Sequence, residues 1–177
     1  MGKPSMTLTP QALEARQEWF REHWKSHIAF NQLIGIEILD WQPGLVRARV
    51  PFADRLSAHD GVFHGGVVAT LIDTTGTGAV ISGHDFNRGS RLTTVSMNVQ
   101  YMSVAPGEDL IAEGICTRRG RTLSFARVSV TSASGKLLAE GMLTVSIAGE
   151  RTGAAGTQNG DPAVSRADRG ETGPSSR

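Results

Sequence analysis

From Gly61 to His84 the chain carries no Lys or Arg, and the one acid in that stretch is Asp73. Its core, "FHGGVVATLIDTT" from Phe63 to Thr75, is an oily run opened by a His-Gly-Gly turn. Read as a helix from Gly65 to Ser82 at about 100° per residue, it gathers Val67, Val68, Leu71, Ile72, Thr75 and Ala79 on one side. Asp73 points nearly opposite, beside Ala69, Thr70, Thr77 and Val80. A face open to water normally carries several charges, and this one carries a single carboxylate. Both sides of the helix must therefore be covered. A sheet would cover one side, and the other is met most simply by the same region of a second copy in a twofold pair. Gly76 and Gly78 each cost about 1 kcal/mol against alanine inside a helix. They point either to a close approach or to an early helix end.

The flanking segments supply the sheet. "NQLIGIEILDWQPGLVRARVPF" holds two strand-like runs about a Gln42-Pro43-Gly44 turn, with Val46, Ala48 and Val50 alternating against Leu45, Arg47 and Arg49. "ADRLSAHDG" reads as a loop. From Arg88 onward the pattern is all strand. "RLTTVSMNVQYM" sets Val95, Met97, Val99 and Tyr101 on one face and Thr94, Ser96, Asn98 and Gln100 on the other. Two further runs meet at Arg118–Arg121. After the "SASGK" turn the last strand shows Leu137, Ala139, Gly141, Leu143, Val145 and Ile147 on one face.

Ahead of this body, "LTPQALEARQEWFREHWKSHIAF" predicts a helix capped by Thr9 with Pro10 at its first position. Leu13, Phe20, Trp24 and Ile28 form its apolar stripe. After Gly149 one large aliphatic, Val164, remains, too little to offset the entropy of ordering, so a disordered tail is expected. The division is residues 1–30 as a helical extension, 31–148 as the main domain and 149–177 as tail. Strand runs with a segregated helix predict an α+β domain, a curved antiparallel sheet wrapped around one long central helix.

Several classes drop out. A net charge of +1 gives no electrostatic case for nucleic acid. "RRGR" at Arg118–Arg121 is short and lacks interleaved aromatics. The single Cys116 excludes an internal disulfide and a cysteine zinc site. His23 and His27 have the i, i+4 spacing of a metal pair, with no third ligand nearby, so no metal is expected. The N-terminus lacks a signal-peptide core, and no run approaches the ~18 apolar residues of a membrane span. A cytoplasmic protein is the expectation. No Gly-x-Ser-x-Gly nucleophile elbow occurs.

Asp73 is then the group to explain. A carboxylate at a covered, apolar seam is costly unless solvated or paired, and such a group is a candidate general base or nucleophile. It could equally cap a loop or pair with an arginine of a second copy. Gly65 and Gly66 stand where helix N–H groups have no intrahelical partner. A glycine backbone there, with the positive helix end, suits a developing oxyanion.

"HDGVFHGGVVATLIDTTGTGAV", followed by "TTVSMNVQYMSVAPGEDLIAEGICTRRGRTLSFARVSVTSASGKLLAEGMLTVSI", resembles hotdog-fold acyl-CoA thioesterases of the phenylacetate-pathway type, in the 4-hydroxybenzoyl-CoA thioesterase superfamily. The likeness runs from about Leu33 to Ile147. It implies Asp73 as the group that activates water or attacks the thioester, and Gly65 as the N–H donor to the thioester oxygen, the two coming from different subunits. His64 would hold the turn, with Gly66, His59, Asp60 and Thr94 beside the substrate. Arg118, Arg119, Gly120, Arg121 and Thr122 match the family's coenzyme A segment. The resemblance implies no cofactor beyond the coenzyme A of the substrate, and a homo-oligomer, either a dimer or a dimer of dimers. Many relatives carry Asn or Gln six residues before the His, where this chain has Ala58. Two other readings stay open: a non-catalytic acyl-CoA binding module, which Ala58 favours, and an enoyl-CoA hydratase or dehydratase using His59 and Asp60.

Overall fold

A computed structural model describes residues 8–148. The expected tail, residues 149–177, and the start of the N-terminal extension lie outside the described residues. The chain runs α1 (Pro10–Ser26), α2 (Ala29–Ile34), β1 (Glu37–Gln42), β2 (Leu45–Val50), β3 (Ser57–His59), β4 (Val62–Phe63), α3 (Gly65–Ile81), β5 (Arg91–Tyr101), β6 (Leu110–Arg119), β7 (Leu123–Ser132) and β8 (Leu137–Ala148). Six strands form one antiparallel sheet in the order β1-β2-β6-β7-β8-β5. The segment expected as a loop holds a short 3-10 turn, Asp54–Leu56, and the small β3–β4 hairpin.

The central helix falls where its pattern placed it, and the sheet receives it on one face. Val46, Ala48 and Val50 of β2 are fully buried, as are Leu110, Ala112, Val128, Val130 and Ala139. All but Val46 form one cluster with Leu71 and Ile72 of α3. Helix and sheet approach so closely that glycine is required on both. A Cβ at Gly141 would lie 2.3 Å from Ile72 Cγ2, one at Gly114 would lie 2.8 Å from the Thr75 carbonyl oxygen, and one at Gly76 would lie 2.6 Å from Leu143 Cδ1.

This corrects one expectation. The close approach read from Gly76 and Gly78 is made within the chain: Gly76 meets β7 and β8, while Gly78 meets Trp24 and Trp41. Val80, assigned to the face that a second copy would cover, packs with Ala126 and Val145 of this chain's own sheet.

The N-terminal segment is two helices, not one. Thr9 caps α1 by accepting from the Ala12 N–H at 3.3 Å. At His27 the helix stops, and Ile28 takes an extended conformation as the N-cap of α2. The turn lets α2 bury Asn31 and Ile34 against the body while Ile28 leaves the α1 stripe. Three contacts fix α1. Phe20 stacks on Phe86 with centroids 5.0 Å apart. Trp24 Nε1 donates to the Thr74 carbonyl at 3.0 Å. Gln17 Nε2 donates to the Ile81 and His84 carbonyls at 3.1 and 2.8 Å, satisfying the end of α3.

Register shifts interrupt four strand pairs of the sheet, and two of them change which side chains face inward. β5 carries a bulge between Thr94 and Ser96. An extra residue there reverses the side-chain phase, so Thr94 faces α3 on one side of it and Met97, Val99 and Tyr101 face α3 on the other. Val95, which alternation grouped with Met97, Val99 and Tyr101, is 56% exposed. The β7–β8 register likewise shifts between Val130 and Thr131, so Leu138 is buried at 1% exposure and Leu137 is exposed at 40%.

Two outcomes follow. Gly114→Ala sets a methyl group against backbone that cannot swing aside, and should cost about 1–3 kcal/mol, read as a lower urea midpoint with unchanged slope. His84 is buried, with its ring edge-on to Phe86 and Nε2 on the Gly89 carbonyl at 2.8 Å. Burial pushes its pKa below the ordinary 6.5, against the raising effects of Gly89 and Asp85. The unfolded chain therefore takes up the proton first as pH falls, so this contribution is complete above about pH 6.5 and is lost below it. Between pH 7.5 and 5.5 the Tm of the wild type should fall further than that of His84→Gln.

Candidate active site

Every residue from Leu71 to Ser82 is buried except Asp73, which is partly buried. It opens into a hollow of about 410 Å³ whose lining includes Thr77, Thr94, Met97, Trp24 and Asn31. The carboxylate is held from one side. Thr94 Oγ1 donates to Asp73 Oδ1 at 2.8 Å, and Thr77 Oγ1 donates to the same oxygen at 3.4 Å. The two hydroxyls are 3.0 Å apart. Among the described residues no hydrogen bond reaches Oδ2, which leaves that oxygen for a bound molecule. No cation pairs with Asp73 among the described ion pairs.

Strict alternation sets Thr94 on the polar face of its strand, opposite Met97. The bulge beside it turns its hydroxyl inward, onto Asp73. Thr77 is legible as a neighbour of Asp73 one helical turn on, while its bond to the carboxylate depends on the rotamer the fold gives it.

The start of α3 is organised by the His-Gly-Gly turn. His64 is the N-cap, and its Nδ1 accepts from the Gly66 N–H at 2.9 Å. A ring nitrogen that accepts here carries no proton, so in neutral His64 the proton sits on Nε2. The His64 carbonyl takes the Val67 N–H. The Gly65 N–H is left without an acceptor among the described residues. The two glycines differ. A Cβ at Gly66 would come within 2.9 Å of His64 Nδ1, so the cap itself excludes a side chain. At Gly65 the nearest atoms are those of the Tyr101 ring at an ordinary 3.5 Å. Tyr101 donates its hydroxyl to the Gly65 carbonyl at 3.0 Å, and both residues line a second, mostly apolar hollow of about 410 Å³. His64 and Gly66 line a third, of about 430 Å³.

Within one chain these groups do not converge. Asp73 and Gly65 are eight residues apart on one helix, about 12 Å along its axis. Exposed His59 and Asp60 sit at the β3–β4 turn and line neither the Asp73 nor the Gly65 hollow, and Ala58 is exposed beside them. The segment Arg118–Thr122 is the end of β6 and the turn into β7. The Gly120 N–H donates to the Leu123 carbonyl at 2.9 Å, and the Thr122 carbonyl takes the Ile147 N–H at 2.8 Å. Arg118 and Arg121 are exposed. Arg119 is exposed as well, but it lays its guanidinium against Gly44 and Gly83 and donates to the Ala79 carbonyl at 3.3 Å, at the C-terminal end of α3.

The other titratable groups lie apart from the Asp73 hollow. His23 stacks between Trp19 and His27, at centroid distances of 4.7 and 5.8 Å. Among the described residues no group of three or more His, Cys, Asp or Glu side chains could hold a metal ion. Cys116 lies in β6, and burial raises its thiol pKa. No described helix is long and apolar enough to cross a membrane.

Comparison with known proteins places this geometry. The thioesterase superfamily matches residues 60–139. Human acyl-coenzyme A thioesterase 13 is 35% identical over 118 residues, which is 65% of this chain and 82% of that protein. Among solved structures, zebra fish thioesterase superfamily member 2 is 33% identical and superimposes with a TM-score of 0.63 over 77% of this chain and 98% of its own. The E. coli PaaI protein, from the phenylacetic acid degradation operon, is 16% identical with a TM-score of 0.68, over 78% of this chain and 97% of its own, and shows the fold alone. The identity to the human protein, sustained over most of that protein's length, goes beyond a shared architecture: the chain is a hotdog-fold member of the thioesterase superfamily.

Proposed function

We propose that the protein hydrolyses an acyl-coenzyme A thioester to the free acid and coenzyme A, the activity that names its human relative. The observation that carries this reading is the Asp73 carboxylate, anchored through one oxygen by Thr94 and Thr77 while the other faces a hollow. A carboxylate so fixed acts as a general base on water. It takes a proton, the water oxygen adds to the thioester carbon, and the carbonyl electrons move to oxygen. The intermediate collapses with cleavage of the C–S bond, and the thiolate of coenzyme A leaves and recovers the proton from Asp73.

The oxyanion needs donors within hydrogen-bond reach, and in one chain the free Gly65 N–H is too far from Asp73. We assign that donor to Gly65 of a second copy, which makes the working unit a twofold dimer with two equivalent sites. Two points support this. The chain's own packing does not demand a glycine at position 65, so its lack of a side chain suits an approach from outside. His64, Gly66 and Tyr101 fix the backbone there. Arg118 and Arg121, exposed at the β6–β7 connection, are the residues assigned to the nucleotide phosphates, whereas Arg119 bonds the end of α3. A cytoplasmic location fits this chemistry.

Asp73→Asn keeps the size of the side chain and removes the base. It should lower kcat at least ~100-fold, with the oligomer unchanged by sedimentation, in an assay of thiol release over short, long and aromatic acyl-CoAs. Turnover at the wild-type level would overturn the role given to Asp73. In the Arg118→Ala/Arg121→Ala double variant, KM for acyl-CoA should rise roughly tenfold with kcat little changed, since ground-state and transition-state binding are lost together. For the same acyl group on a phosphate-free thiol carrier, KM should not move.

A further inference from the structure

Five buried side-chain atoms have no hydrogen-bond partner among the described residues, and one of them, Asn31 Nδ2, belongs to a residue that lines the Asp73 hollow. Asn31 sits on α2 and is 4% exposed. Its Oδ1 accepts from Thr74 Oγ1 at 3.2 Å. Turning the amide over would exchange its ends and still leave one of them unmatched. A buried amide left unpaired costs about 1–3 kcal/mol, and a group in that condition beside a functional carboxylate calls for a ligand or ordered water to complete it.

The placement is not incidental. Asn31 and Asp73 reach the hollow from different helices, and the Asn31–Thr74 bond ties the amide to the residue next to Asp73. Trp24 Nε1 on the carbonyl of the same Thr74 holds α1 in register with this contact. The amide is therefore oriented from α3 itself. It is also supplied by a segment outside residues 60–139, the span that matches the superfamily.

From this geometry we infer that Asn31 is a further residue of the catalytic site, donating through its side-chain N–H to the oxygen of the water that Asp73 activates. That water gives one proton to Asp73 Oδ2. Of its two lone pairs, one accepts from Asn31 and the other is left aimed at the thioester carbon. Two fixed contacts define the direction of attack where one would leave the water free to rotate. The inference rests on the hydrolytic reading of Asp73 given above.

The test is a kinetic comparison of the full-length protein with Asn31→Asp, Asn31→Leu and Asn31→Gln. Asn31→Asp keeps the shape and the oxygen that faces Thr74, and removes the donor. It should lower kcat at least ~10-fold with KM within about threefold. It should also move the acid limb of the kcat profile to higher pH, because a second carboxylate near Asp73 opposes its ionisation. Asn31→Leu should lower kcat similarly without that pH shift, and Asn31→Gln, which keeps an amide donor, should recover part of the loss. Urea midpoints report docking of α2 separately. If Asn31→Asp and Asn31→Leu turn over as the wild type does, or if their losses simply follow stability and Asn31→Gln rescues nothing, Asn31 is structural and this inference is overturned while the hydrolytic reading stands. Absence of thiol release from the wild type across the acyl-CoA panel would instead overturn the hydrolytic reading, and this inference with it.

Discussion

The distance between α3 and the sheet governs everything else in this fold. Three glycines, one on the helix and two on the strands, let an almost wholly apolar helix lie directly on the sheet. The burial that results is extensive, with Leu71, Ile72, Val80, Val128, Val130 and Val145 sealed from water. A helix pressed that closely cannot roll about its axis without driving Ile72 or Thr75 into backbone. Its angular setting is thereby fixed, and so is the direction of its single carboxylate.

With the helix locked, the surroundings of Asp73 are built from three other parts of the chain. β5 supplies the Thr94 hydroxyl, α1 supplies Trp24, and α2 supplies Asn31. The N-terminal helices are in turn pinned to the far end of α3 through Gln17 and through Phe20 on Phe86. A segment that could pass for an appendage in the sequence is thus part of the wall of the hollow. The other half of the proposed machinery, the His64-capped helix start, is held by the local His64–Gly66 cap and by Tyr101 closing over the top.

Much of this was legible in the residues. The central helix, the Thr9 cap and Pro10 start of α1 and the turns at Gly44 and Gly135 all follow from local rules. The inward set Val46, Ala48 and Val50 follows from period-2 alternation. What could not be read has one cause, dependence on partners distant in the chain. The glycines announced a close approach but not with what, because strand order β1-β2-β6-β7-β8-β5 carries no local signature. The break at His27 reflects what α2 must bury rather than any helix breaker. Asn31 stands 43 residues from its partner Thr74, and no spacing rule links them. Arg119, one of three arginines in a short turn, is distinguished from its neighbours only by the carbonyl of Ala79 that it happens to reach.

The extra residue in β5 has a consequence of its own. On one side of it the strand shows Thr94 to the helix; on the other it shows Met97 and Tyr101. An even ladder holds a single parity from end to end, so it could present either the threonine or the tyrosine inward, never both. Val95 acts as a phase shifter between the middle of the long helix and its N-terminal turn. The strand serves the carboxylate at one end and the glycine turn at the other only because it miscounts by one in between.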